Sequence, residues 1–335
     1  MKRLFFIIIA GLSVAFTAVA QYDAQLSNYW TATGYFNPAN AGRSENLETM
    51  VLYRQQWLGI DGAPGTTLIT ADMPLSLLGR THGVGAVLFS ERIGLFEHSI
   101  VSGQFAYKKN RGKGTFSAGL QIGYIAETFK GSKIDPKDIN DDYHQLVDAG
   151  IPTSDVTGSG IDAAFGLMFY KPEWYVGLSA THLLGPKLIL GENYVMEIPR
   201  AYYLTAGYNI QLKNPLLELR PSLLVKTTEM GPAVKGDSIT GDVVKAMMTM
   251  TQLDLSVRMI YNKTYWGGFG WRKGDAAVLM LGGKFSMVEA GYAYDFPIST
   301  ILKGSTGSHE IFLKFVVNLD KKKGKKNKHK SIRIL

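Results

Sequence analysis

Apolar and polar residues alternate with a period of two through most of the chain. In "MTQLDLSVRMIY", Leu253, Leu255, Val257, Met259 and Tyr261 fall on one side and Gln252, Asp254, Ser256 and Arg258 on the other. "AYYLTAGYNIQLK" repeats the scheme, with Tyr202, Leu204, Ala206, Tyr208, Ile210 and Leu212 opposing Tyr203, Thr205, Gly207, Asn209, Gln211 and Lys213. Strand side chains point alternately to the two faces, so these segments are strands with one greasy and one polar or small face. The pattern predicts strands near 47–58, 65–73, 83–91, 98–109, 114–127, 160–170, 173–184, 200–212, 215–227, 250–261, 264–272, 275–285, 287–295 and 308–320. The fourteen segments make an even number, as in single-chain bacterial barrels.

A soluble sandwich would alternate too, with core and solvent in place of lipid and lumen. Length separates the two. Many segments run nine to twelve residues, the reach a tilted strand needs to cross a bilayer. Globular strands are typically about five or six residues long. The connections also sort by length. With the N-terminus on the periplasmic side, the turns there are tight: "KNRGK", "YKPE", "LKNP", "YNKT" and "FSM". The long loops, 128–159, 185–199, 228–249 and 296–307, all fall on the opposite side. The link "PLSLLGRTH", Pro74 to His82, is the exception. Aromatic residues near segment ends (Trp57, Trp174, Tyr175, Tyr202, Trp266, Trp271, Tyr292) suit interfacial girdles. Glycines within segments, such as Gly83, Gly85, Gly119, Gly123, Gly282 and Gly283, let a sheet bend or opposing groups crowd in. The expected fold is all-β: a transmembrane antiparallel β-barrel of about fourteen strands in the outer membrane.

Composition refines the picture. Lys2 and Arg3, the apolar stretch Leu4 to Phe16 and the small residues Ala18-Val19-Ala20 read as a signal peptide over 1–20. The mature chain is then expected to start near Gln21. With no cysteine in the sequence there is no lipid-acceptor thiol, disulfide or thiolate metal site. The full chain carries +8, of which the leader contributes +2 and residues 321–335 contribute +8, leaving −2 for residues 21–320. The cationic character is that of a tail, which argues against a nucleic-acid-binding body. A mean hydropathy of +0.00 without a long apolar run excludes a helical membrane bundle but not a barrel.

Several stretches resemble the PorP/SprF family, outer-membrane components of the type IX secretion system. They are Gln21, Ser27 and Tyr29; "NPANAG" (Asn37 to Gly42); "YRQQWLGIDGAP" (Tyr53 to Pro64); "GVGAVLFSERIG" (Gly83 to Gly94); "WYVGLSATHL" (Trp174 to Leu183); "WRKGDAAVLMLG" (Trp271 to Gly282); "GYAYDFPIS" (Gly291 to Ser299); and "GSHEIFL" (Gly307 to Leu313). The family's usual proline soon after the leading glutamine is absent, and Trp271 stands where tyrosine is common. The resemblance implies a non-enzymatic role in exporting proteins across the outer membrane and, in some bacteria, in gliding motility. It also implies secreted cargo and periplasmic secretion components as partners, in a setting of outer-membrane lipid. A channel for small or hydrophobic solutes is the alternative that a barrel of this size leaves open.

The candidate chemistry is sparse. His309 and Glu310 are neighbours in a strand, so they face opposite ways and cannot share a catalytic centre without a bulge. The carboxylates of "DPKDINDD" (Asp135 to Asp142) do not have the spacing of a calcium loop. No metal or cofactor is expected, nor a Ser-His-acid set on one face. Gln252, Asp254, Ser256 and Arg258 face the lumen, where they line a pore or join a plug of mixed charge. The segment 21–46, rich in aromatic residues, is expected at the periplasmic mouth or inside the barrel of residues 47–320. The tail 321–335 carries Lys321, Lys322, Lys323, Lys325, Lys326, Lys328, Lys330 and Arg333 before the alternating Ile332, Ile334 and Leu335. It reads as a periplasmic tether: its charge attracts acidic partners and its end could add a strand to a sheet edge.

Overall fold

The computed structural model describes residues 23–77, 79–134, 152–191, 194–229 and 250–319. The barrel strands are β1 (Asn46–Gln55), β2 (Gly65–Leu77), β3 (Arg80–Ile93), β4 (Phe96–Arg111), β5 (Gly114–Lys130), β6 (Asp155–Tyr170) and β7 (Trp174–Thr181) in the first half. A small separate hairpin, β8 (Lys187–Leu190) with β9 (Tyr194–Glu197), follows. The second half contains β10 (Ala201–Tyr208), prolonged by β11 (Ile210–Gln211), then β12 (Leu217–Thr228), β13 (Met250–Tyr261), β14 (Tyr265–Arg272), β15 (Ala276–Phe285), β16 (Val288–Pro297) and β17 (Ser308–Asn318).

Every neighbour pair is antiparallel, and the ladder closes on itself. β1 pairs with β17 from Asn46↔Asn318 to Gln55↔His309, and β10 pairs with β12 from Ala201↔Thr228 to Gly207↔Ser222. With β11 counted as the continuation of β10, this is a closed fourteen-stranded barrel. Closure leaves no unpaired sheet edge to be buried in lipid, the condition for a strand-built membrane span.

The distribution of polarity is inside out relative to a soluble protein. Phe269 is 72% exposed and Ile122 66%, while on the inward face Arg54 and Arg272 are each 1% exposed. Outward apolar side chains, among them Val101, Leu120, Ile161, Leu178, Leu281 and Ile311, surround the barrel. A contiguous belt of this kind needs an apolar solvent. The protein is an outer-membrane β-barrel.

Three details depart from the sequence reading. The link Pro74 to His82 is strand: β2 continues to Leu77 and β3 begins at Arg80, paired directly across a tight turn with Gly79 at φ +73°. That connection therefore joins the other short turns. Second, Trp266 and Tyr175 do not belong to a girdle. Trp266 is 7% exposed, one residue out of step with the outward Tyr265, and Tyr175 lies beneath the Arg43 guanidinium. Third, the long link 185–199 contains the β8–β9 hairpin. It folds inward, burying Leu188, Leu190 and Ile198, and the β8 backbone lies against Gly158 of β6, where any Cβ would overlap it.

Candidate functional site

The lumen is occupied by the chain itself. Residues 23–45 enter at the long-loop end, cross the barrel and leave at the short-turn end to start β1. The path is set by named contacts. Near the long-loop end, Asp23 bonds His182 and Tyr203 while its carbonyl accepts from Lys226 Nζ at 2.6 Å. Midway, Tyr29 donates to the Ser222 carbonyl at 2.9 Å and touches the Ser256 hydroxyl at 3.0 Å. Trp30 packs edge-on against Trp266 and Phe312, with the Arg258 guanidinium 3.4 Å above its ring. A one-turn helix α1 (Thr33–Phe36) follows, then "NPANAG".

The "NPANAG" turn is built by local chemistry. Asn37 Oδ1 accepts from Ala39 N at 2.9 Å, Pro38 starts a 3₁₀ turn to Asn40, and Gly42 takes φ +58°. Glycines in the wall receive this turn. A Cβ at Gly83 would overlap the Ala41 carbonyl, one at Gly119 the Ala39 nitrogen, and one at Gly166 the Asn37 carboxamide. The bare wall lets backbone meet backbone. Asn37 Nδ2 then donates to the carbonyls of Leu167 (3.1 Å) and Leu178 (3.2 Å), and Ser179 and Ser117 donate to the Phe36 and Ala39 carbonyls at 2.6 and 2.7 Å.

Toward the long-loop end a charged network holds the segment. Glu310 accepts from the backbone nitrogens of Ser27 (2.8 Å) and Asn28 (2.7 Å) and from Asn28 Nδ2 (2.8 Å). Arg54 reaches Asp295 at 2.8 Å, the Ser27 hydroxyl at 2.9 Å and Glu310 at 3.5 Å. Arg272 bonds Asp254 at 2.7 Å and Asp295 at 3.0 Å, and Ser27 donates to Asp295 at 2.6 Å. Two guanidiniums, three carboxylates and a serine thus pair with one another in a site removed from water, with Arg54 Nε left without a hydrogen-bond partner. Each member is costly to remove, because its partner would be left as an uncompensated buried charge.

His182, just beyond β7, faces two carboxylates: Nε2 to Asp23 at 2.9 Å and Nδ1 to Asp162 at 2.7 Å. Both nitrogens must donate, so the ring is an imidazolium. Burial alone would push this imidazole down, but Asp23 and Asp162 reverse that and hold it up at about 9.

The four lumen-facing residues read from the sequence all lie on the inward face of β13, and none is more than 7% exposed. Arg258 and Ser256 meet the segment through Trp30 and Tyr29, and Asp254 joins the network through Arg272. Gln252 bonds Asp254 at 2.5 Å. His309 and Glu310 do face opposite ways: His309 meets the Tyr292 hydroxyl at 2.7 Å on the outer side, and Glu310 is in the network. The carboxylates Asp135–Asp142, the leader and the tail from Lys321 to Leu335 lie outside the described residues.

The sequence reading missed Arg54, Arg272, Asp295 and Glu310 as a group. The signal was present but divided: each is the inward residue of a separate motif, "YRQQW", "WRKGD", "GYAYDFP" and "GSHEIFL". Those motifs meet around Ser27. Gly83 and Gly177, with Ser179 and His182, bring "GVGAVLF" and "WYVGLSATHL" against other parts of the segment, at Ala41, Asn37, Phe36 and Asp23.

A family model described as "Type IX secretion system membrane protein PorP/SprF" matches residues 18–315. No curated protein matches the sequence. Among solved structures, the CymD monoaromatic hydrocarbon channel is similar at TM-score 0.47 and 11% identity, covering 85% of this chain and 92% of that one. The toluene transporter TodX of Pseudomonas putida follows at 0.46 and 9%, covering 86% and 93%. A FadL homologue of Pseudomonas aeruginosa stands at 0.42 and 12%, covering 82% and 89%. At these levels the barrel is defined by its own strand pairing.

Proposed function

The chain belongs to the PorP/SprF family of type IX secretion system membrane proteins, and from that premise we propose that it is a sealed, non-enzymatic scaffold of the secretion machinery. In this reading it retains secreted cargo on the outer face and engages periplasmic components on the inner face. One observation carries it. Residues 23–45 run through the lumen and are held there by buried hydrogen bonds at both ends and in the middle. A segment threaded through the barrel and bonded along its length obstructs a solute, so in this reading the work of the barrel lies on its two ends. The long-loop end supplies the surface for cargo, and the short-turn end with its cationic tail supplies the surface for periplasmic partners.

The experiment is deletion of residues 321–335 in the producing cell. The scaffold reading expects an intact, membrane-inserted barrel that loses its co-purifying periplasmic partners and leaves cargo unsecreted. Unchanged partner recovery and secretion would remove the tail from the account. Uptake or conductance by the wild-type barrel would favour a transporter.

A further inference from the structure

The short-turn mouth contains a recess of about 790 Å³, within the range of ligand-binding pockets. Its charge is one-sided. Arg43, Arg80, Lys108, Lys109 and Lys113 line it, against the single carboxylate Glu45. Arg80, Lys109 and Lys113 are exposed. None of the five cations forms an ion pair with a carboxylate among the described residues. Arg43 is instead held over the Tyr175 ring at 4.5 Å, and Lys108 donates to the Gly42 carbonyl.

Deeper in the lumen, a chamber of about 300 Å³ shares Arg43 and Ser44 with this recess. Two of its lining atoms, Asn40 Oδ1 and Thr31 Oγ1, are buried without a hydrogen-bond partner. Asn40 is 9% exposed. The mouth therefore offers cations to an anion and, behind them, acceptors to a donor.

We propose that this recess docks an acidic, extended peptide segment of a periplasmic protein. Carboxylate side chains meet the five cations, and main-chain N–H groups at the inserted end satisfy Asn40 and Thr31. A phosphate headgroup would answer the cations alone, because a phosphate diester has no N–H to give. The chain's own C-terminal tail is excluded as the occupant by its +8 charge, although it departs close by: Asn318 pairs with Asn46, next to Glu45. The cations of the recess make a positive field, which steers an acidic partner toward the mouth. This inference rests on the reading that the short-turn end faces the periplasm.

The test uses the full chain in detergent and a fluorescein-labelled peptide of alternating Asp and Glu, with an Asn and Gln peptide of equal length as control. The acidic peptide is expected to bind. Charge reversal of the three exposed side chains together (R80E, K109E, K113E) is expected to weaken it by about tenfold or more, with a smaller salt dependence. Deletion of 321–335 should lower the affinity but keep that tenfold dependence on the recess. Barrel closure is verified in each variant by heat-dependent gel migration. Equal binding of the two peptides, no effect of the triple reversal, or a recess effect that vanishes with the tail would overturn the inference. So would competition by phosphatidylglycerol vesicles that abolishes peptide binding, which would assign the cations to membrane phosphate. The orientation is tested separately: Lys113→Cys, the sole thiol in the chain, should resist an impermeant maleimide in intact cells and react once the outer membrane is opened. Labelling in intact cells would overturn the periplasmic reading while the peptide measurement stands on its own.

Discussion

Glu310→Gln isolates the contact on which the docking of the N-terminal segment depends most. Its Oε1 accepts from Asn28 N and Nδ2, and the glutamine oxygen can keep both bonds. Its Oε2 accepts from Ser27 N at 2.8 Å and faces Arg54 Nη1 at 3.5 Å. The new amide puts N–H groups there, donor against donor. One buried backbone N–H is left without an acceptor, at about 1–3 kcal/mol, and the two surviving bonds lose their charge assistance, about 1 kcal/mol more. A total near 3 kcal/mol raises the undocked population of the segment about 100-fold. The assay is the rate at which Ala24→Cys reacts with a water-soluble maleimide. Ala24 is 5% exposed and the chain has no other thiol, so labelling reports undocking alone. The rate should rise about 100-fold when Glu310→Gln is added, while heat-dependent gel migration still shows a closed barrel. A rate within about twofold of the parent would refute the reasoning, because a local opening of this cost must accelerate labelling.

Gly166→Val places a branched side chain where the Asn37 carboxamide lies, so the "NPANAG" turn should be displaced at a cost of about 1–3 kcal/mol and trypsin should cut after Arg43 in variant but not parent. Trp30→Leu removes the ring beneath Arg258 and leaves that guanidinium buried beside an aliphatic group. A loss of about 2 kcal/mol is expected in urea unfolding. The His182 contact gives a pH dependence of defined sign. Its folded value is raised above the ordinary 6.5 to about 9, so its stabilisation is complete below about pH 6.5 and is lost as the pH rises through about 9. Labelling of Ala24→Cys, corrected with an exposed thiol, should therefore accelerate between pH 8 and 10, and His182→Gln should abolish that pH step.

The strands were legible because lipid imposes the alternation residue by residue. Leu255, Val257 and Met259 had to point outward once Asp254, Ser256 and Arg258 pointed in. Strand ends were less legible because the constraint stops with the lipid. β3 and β4 run on to Ile93 and from Phe96, and β2 runs past Pro74, where the side chains no longer alternate by polarity. The sequence marks the glycines as places for crowding, which is what Gly83 and Gly119 provide, but the crowding group is backbone 42 to 80 positions distant in sequence. Trp266 departs from the girdle expectation for a related reason: a buried aromatic and an interfacial one occupy similar positions near strand ends, and only parity with Tyr265 distinguishes them. Arg54, Asp295 and Glu310 are out of reach of the sequence because a network whose partners lie 18 to 283 residues apart has no local period.

The claim underlying all of this is that the barrel is closed by its own N-terminal segment. Single-channel recording of the purified wild-type protein in a planar bilayer tests it most directly. The account predicts no conductance steps from wild type, and steps from a Glu310→Gln, Gly166→Val double variant whose segment is released. Steady open-channel steps from the wild-type barrel would contradict it.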